Sequence, residues 1–157
     1  MNQYWSKPLN FPWPPLIYSV AAIAAYGVHK VIPLEFAVVT GWGAAIAGLL
    51  LLGCGVFFDL WALKTLNDSG TTVLPNRCAT HLVTCGPFRL SRNPVYLGYT
   101  LSLCGLGLIS GIAWLPIAAF IAATATYFLV ITREEKHLLS RFGIEFEHYR
   151  RTARCWI

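Results

Sequence analysis

The sequence predicts an all-α integral membrane bundle of about four transmembrane helices, a single domain over 1–157, with a polar loop and a C-terminal amphipathic helix gathered at one membrane face. Three observations predict it. Hydrophobic side chains make up 56% of the 157 residues and charged ones 12%, and the mean hydropathy is +0.56, a balance outside that of soluble domains. The apolar residues fall in long uncharged runs rather than in short alternating ones, as bilayer-crossing helices require. Of the 12 Lys and Arg, only Lys7 and Lys30 precede Lys64, an asymmetry of the kind that orients membrane proteins.

The elements follow in order. Residues 1–15, MNQYWSKPLNFPWPP, are expected to lie extended at headgroup level, because the prolines resist helix and Trp5 and Trp13 suit the interface. The run 16–32 is apolar except for His29 and Lys30 and at about 1.5 Å per residue just crosses a core of about 30 Å. It is expected to be a first span, retained rather than cleaved, since no A-x-A-like site follows it. Pro33 ends it. The second span, 36–63, is interrupted only by Asp59, and Gly41, Gly43 and Gly48 supply small residues for close helix contact. A loop, 64–94, carries charge. The run 95–132 carries none, and as one helix it would be about 57 Å long, nearly twice a bilayer core. It must therefore fold back. Ser110, Gly111 and Pro116 break it beside Trp114, which divides it into spans 95–110 and 113–132.

The tail, 133–157, opens on REEKHLLSRFG, with Gly143 as a helix C-cap candidate. Phe146, Tyr149, Ala153 and Trp156 then recur at helical spacing, with Arg150, Arg151 and Arg154 between them. That pattern predicts an amphipathic helix lying on the membrane surface. Trp5, Trp13, Trp42, Trp61, Trp114 and Trp156 read as interface markers. Both polar clusters, and with four spans both termini, are expected to be cytoplasmic.

The net charge of +5 does not point to nucleic acid, because no dense basic run interleaves with aromatics; a basic face toward anionic membrane lipid accounts for it. Five cysteines without a C-x-x-C pair support neither a disulfide framework nor a zinc site. His29, His137 and His148 lack metal-ligand spacing. The end Cys155-Trp156-Ile157 is one residue short of a C-a-a-X box, so prenylation of this chain is not expected. Nothing in the sequence indicates an oligomeric state.

Two polar stretches are brought to one face if the hairpin returns the chain: THLVTCGPFRLSRNPVYLG, 80–98, and REEKHLLSRFG, 133–143. In the first, Gly86-Pro87 makes a turn, Asn93 is placed to cap a helix and Pro94 takes its first position, where a missing N–H costs nothing. Arg89, Arg92 and Tyr96 surround that cap. In the second, Glu134 and Glu135 share an amphipathic helix with Leu138, Leu139 and Phe142, so at least one acid points along an apolar face. An acid beside a membrane needs a partner, which Arg89, Arg92 or a cationic ligand would provide.

Together these motifs resemble the membrane methyltransferase family that includes isoprenylcysteine carboxyl methyltransferases and phospholipid methyltransferases. The resemblance covers roughly 64–154 and rests on the joint pattern: a Gly-Pro-aromatic turn, Arg-x-Pro-x-Tyr, the hairpin, Glu-Glu-x-x-Leu and Phe-Gly. It implies S-adenosyl-L-methionine bound at the cytoplasmic face, under the loop before the hairpin and the helix after it. The methyl acceptor would be a lipophilic small molecule or lipid: an isoprenylcysteine-like carboxylate, a lipid amine or a thiol. Carried over position by position, the cofactor contacts would be Thr80, His81, Leu82, Val83, Phe88 (often Tyr in relatives), Asn93, Pro94, Tyr96 and Glu134. Glu135 would accept a proton from an amine or thiol acceptor, and Arg92 would donate to a carboxylate; no metal is implied. Arg141, Tyr149 and Arg150 lie where relatives close the pocket from the tail.

Two departures bear on the acceptor. The isoprenylcysteine branch carries His where this chain has Asn93, and an arginine for the substrate carboxylate where it has Val130, with Arg133 as the candidate stand-in. A sterol-type reductase using NADPH shares Arg-x-Pro-x-Tyr but usually follows it with Gly-Glu, whereas Gly98 here precedes Tyr99. A non-catalytic protein binding lipid or a partner is the other alternative. Asp59 is expected to be solvated at the interface or hydrogen-bonded to the loop, with a substrate role as its alternative.

Overall fold

The computed structural model describes residues 13–36, 42–70 and 81–157, and every regular element within them is helical: α1 (Trp13–Val31), α2 (Trp42–Asp68), α3 (Pro94–Ser110), α4 (Trp114–Thr126), α5 (Thr132–Phe142) and α6 (Ile144–Thr152). A 3-10 turn occupies Gly86–Arg89, and a π-helical turn, Tyr127–Ile131, joins α4 to α5. The expectations for residues 1–12, Gly41 and Thr80 fall outside the described residues. At Trp13–Pro15 the extended strip is corrected. These residues already belong to α1, because proline in a first helical turn gives up no intrahelical bond.

The hairpin forms where the glycine and proline signals put it. Gly111 closes α3 in the left-handed region at φ 74°, which glycine adopts without a Cβ penalty. The chain leaving α1 meets this turn: Ala113 N–H donates to Leu34 O at 3.0 Å and Trp114 Nε1 to Ile32 O at 2.9 Å. At the other end of α1, Tyr18 shares a 2.6 Å hydrogen bond with Thr100 Oγ1, one turn into α3 from Tyr96. α1 packs on α4, and α3 lies between α4 and α2. The start of α1, the end of α2, the 3-10 turn and the segment after α4 thus occupy one end of the bundle.

Glycines set the α2–α3 distance. A Cβ on Gly105 would stand 2.7 Å from Gly48 O and from Leu52 N, and one on Gly55 2.6 Å from Gly98 O. Of the glycines expected to make close contact, Gly48 does so; Gly43 is corrected, being exposed with nothing within 4 Å of its would-be Cβ.

Among the described residues two helices suffice by length and composition to cross a membrane, α2 and the continuous helix Trp114–Phe142; α3 is a shorter apolar helix. Leu49, Leu50, Phe57 and Leu60 on α2, Phe120 and Ile121 on α4, and Phe128 in the π turn are exposed. An apolar girdle of this extent requires lipid or a partner surface. The second arm of the hairpin runs on past residue 132 into REEKHLLSRF, as its sequence leads one to expect, by way of the π turn, in which Thr132 N–H reaches back to Tyr127 O. A four-residue step advances about 400° in an α-helix, overshooting one turn. The wider π turn absorbs that overshoot, so Thr126 and Val130, both fully buried, are followed on the same inner side by Glu134 and Leu138.

Candidate functional site

The polar end of the bundle is built from the 3-10 turn upward. Gly86 enters it with φ 59°, Pro87 is buried, and Leu90 and Ser91 N–H both donate to Pro87 O at 3.1 Å. Ser91 is fully buried, and its Oγ accepts from Asn93 N–H at 3.1 Å. This fixes the approach to α3.

Adjacent acids of α5 project in different directions and find different partners. Tyr96 O–H donates to Glu134, 3.0 Å from Oε1 and 3.1 Å from Oε2. Arg92 donates to Glu135 Oε1 from Nη2 at 2.7 Å and from Nε at 3.0 Å, in an ion pair whose side chains are 13% and 23% exposed. Its Nη1 donates to Ala153 O at 2.6 Å and to Arg150 O at 3.2 Å. The two motifs therefore meet. Arg92 and Glu135 are engaged with each other, while among the described residues Glu134 has only the Tyr96 phenol as a hydrogen-bonding side-chain partner.

Asn93 occupies the cap position of α3, but its side chain makes no cap bond. That expectation is corrected: Nδ2 donates to Cys155 O at 3.0 Å and lies 3.5 Å from Cys155 Sγ. The tail is corrected as well. The apolar face of α6, expected to lie on the membrane, packs on the protein itself: Phe146, Tyr149 and Ala153 are buried against Leu82, Phe88, Leu138 and Phe142. Tyr149 O–H donates to Phe88 O at 2.7 Å. Burial raises the Tyr149 phenol above its ordinary pKa, with Arg92 pulling weakly the other way, so it remains a donor at physiological pH.

Of the other residues picked from sequence, Pro94 is buried, Leu82, Val83 and Phe88 are half-buried, and His81 is exposed. Arg89, Arg133 and Arg150 are exposed, and Arg141 lies over the Phe142 ring, 5.8 Å from its centroid. Asp59 does not belong to this site. It faces Gly98, two residues and so about 200° round α3 from Tyr96, and among the described residues its buried Oδ1 has no hydrogen-bond partner. Ser91 and Cys155 escaped the sequence reading, because neither a lone serine nor a lone cysteine carries a signal until its partners are known.

A helical bundle with lipid-seeking flanks, whose pre-hairpin loop and post-hairpin helices interlock at one end, defines a membrane protein with a composite polar site at that end. The phospholipid methyltransferase family matches residues 44–145, from α2 to the second residue of α6, and the chain belongs to that family. The nickel-cobalt-cadmium resistance protein NccN of Alcaligenes xylosoxydans xylosoxydans is 32% identical over 117 residues, covering 65% of this chain and 54% of its own. The chain thus spans about half the length of that curated relative. No solved structure matches it.

Proposed function

We propose that the chain is an S-adenosyl-L-methionine-dependent methyltransferase that passes a methyl group to a lipophilic acceptor entering from the bilayer. The observation that carries this reading is the meeting of the two motifs through Tyr96–Glu134 and Arg92–Glu135. Family membership supports methyl transfer over NADPH-dependent reduction of a carbon–carbon double bond and over a purely binding role.

The residues fit the cofactor. Glu134 accepts one phenolic O–H, and a carboxylate has lone pairs for further donors, so it suits the cofactor's ammonium group. No side chain caps the start of α3, where Pro94 leads the first turn, and the N–H groups of that turn suit a carboxylate. Leu82, Val83 and Phe88 offer apolar walls for adenine, and Phe88 and Tyr96 aromatic faces for a sulfonium; Thr80, His81 and Asn93 complete the proposed set. When bound, the cofactor supplies an electrophilic methyl group. The chain aligns the reactants and excludes water, and Glu135, which Arg92 holds at 2.7 Å, is the carboxylate in place to take a proton from an amine or thiol.

Val130, the counterpart of the isoprenylcysteine branch's arginine, is fully buried. That favours a lipid amine or thiol over a prenylcysteine carboxylate as acceptor. The relative's name ties it to nickel, cobalt and cadmium resistance; among the described residues no three His, Cys, Asp or Glu side chains gather as metal ligands would, and no metal-binding role is carried to this chain.

Membranes containing the protein, incubated with methyl-labelled S-adenosylmethionine, are expected to yield label in the lipid extract. Label in no fraction would overturn the proposal, and NADPH binding in its place would select the reductase. Both termini are proposed to be cytoplasmic. Reporters fused before Met1 and after Ile157 should both signal from the cytoplasm, and an external signal from either rejects the sidedness.

A further inference from the structure

We infer that Arg92 is a positioning residue: it acts on the site by clasping the C-terminal strap, 153–155, and Glu135, without touching donor or acceptor. The inference rests on the proposed cofactor site and assigns Arg92 a different task from binding a carboxylate there. Nε and both terminal nitrogens of its guanidinium are engaged, two of them on Glu135 and the third on Ala153 O and Arg150 O. Those two carbonyls lie at the C-terminal end of α6, where helix acceptors lack intrahelical partners and the helix dipole is negative. Arg92 is thus a cap for α6 delivered from another element.

The backbone repeats the attachment. Arg92 N–H donates to Arg154 O at 2.9 Å, and Ser91 pairs with Arg154 in a parallel bridge. Asn93 Nδ2 holds Cys155 O, and Ser91 Oγ lies 3.4 Å from the same carbonyl. Residues 91–93, which lead into α3, are therefore laced to the strap after α6. α6 itself hangs from α5 at Gly143, where φ is 53°. Among the described residues, loss of Arg92 leaves Tyr96–Glu134 as the side-chain link between the start of α3 and α5, and release of the strap frees Asn93 from its anchor. The guanidinium fork spans the carboxylate with Nε and Nη2 and the two carbonyls with Nη1, whereas the three donors of a lysine radiate from a single atom and match that spread poorly.

Cys155 reports on the strap. It is half-buried with Sγ beside Asn93, and burial, with Glu135 adding to it, raises its thiol pKa, which slows alkylation. In a background with Cys54, Cys78, Cys85 and Cys104 replaced by serine, Arg92→Gln should speed maleimide labelling of Cys155 at least tenfold. It should also raise the S-adenosylmethionine dissociation constant at least tenfold. Arg92→Lys should fall between the two proteins in both readouts, and covers the case in which Arg92→Gln does not fold. Deleting 153–157 in otherwise native protein should reproduce the affinity loss, with Arg92→Gln adding little to it, as expected of coupled groups. Unchanged labelling in both Arg92 variants, or faster labelling of Arg92→Gln with a native-like dissociation constant, overturns the inference. Should the native protein bind no S-adenosylmethionine, the proposed function fails, and the labelling rates alone decide whether Arg92 holds the strap.

Discussion

Glu134→Gln is expected to weaken S-adenosylmethionine binding at least tenfold, about 1.4 kcal/mol, in protein that folds as before. The substitution keeps the shape and the acceptor oxygen that Tyr96 O–H uses at 3.0 Å, so the link between α3 and α5 survives. What it removes is the negative charge. A hydrogen bond to an ionised partner contributes about 1.5–3 kcal/mol against about 1 kcal/mol for a neutral one, and the difference accounts for the tenfold. No cation pairs with Glu134 among the described residues, in contrast to Glu135. A half-buried carboxylate held by a neutral phenol is costly to keep ionised, so the glutamine variant should melt no lower than the native protein. Calorimetric titration in detergent, beside a thermal melt, checks both halves. A native-like titration rejects Glu134 as the cofactor's anchor; a lowered melting temperature makes it a structural residue instead. Tyr96→Phe, which leaves the charge and removes the phenolic O–H that bonds it, should lose less affinity and more stability.

The sequence carried the polar end of the molecule further than the apolar core. The uncharged run 95–132 is too long for one crossing, and Gly111 and Pro116 mark where it breaks, so the convergence of Arg92 and Tyr96 on Glu134 and Glu135 follows from length and turn chemistry alone. Which acid meets which partner does not follow, because neighbouring residues on α5 point about 100° apart and their phase depends on the π turn at Tyr127–Ile131. No composition signal announces a π turn. The inner face of α6 was legible from the spacing of Phe146, Tyr149 and Ala153, yet its covering was not: an amphipathic stripe reads the same whether lipid or Phe88 and Leu138 lie beneath it. Asn93 failed as a cap for a related reason. Its preference for that position is local, and the Cys155 carbonyl that outcompetes it arrives from 62 residues away.

The α2–α3 seam carries the other large effect. Gly48 and Gly55 on α2 and Gly98 and Gly105 on α3 each stand seven residues apart, near two turns of helix, and the antiparallel register sets each against backbone of the facing helix. Only the structure separates these four from Gly43 and Gly53, whose added Cβ would meet nothing within 4 Å; in the sequence all six are small residues in apolar runs. Gly105→Val is expected to destabilise the fold by more than about 3 kcal/mol, the upper range for overpacking a close-packed contact. The atoms in the way, Gly48 O and Leu52 N at 2.7 Å, are backbone and cannot rotate aside. Gly53→Val, with the same change in helix propensity but open space before it, should alter stability little. Thermal unfolding of both variants in the same detergent makes the comparison. A native-like melt for Gly105→Val would mean that α2 and α3 do not approach this closely. The end of α2 would then no longer be held beside the 3-10 turn at Gly86–Arg89, where Thr65 and Trp61 crowd Gly86, and the loop leading to Arg92 would lose the floor that sets its height against α5.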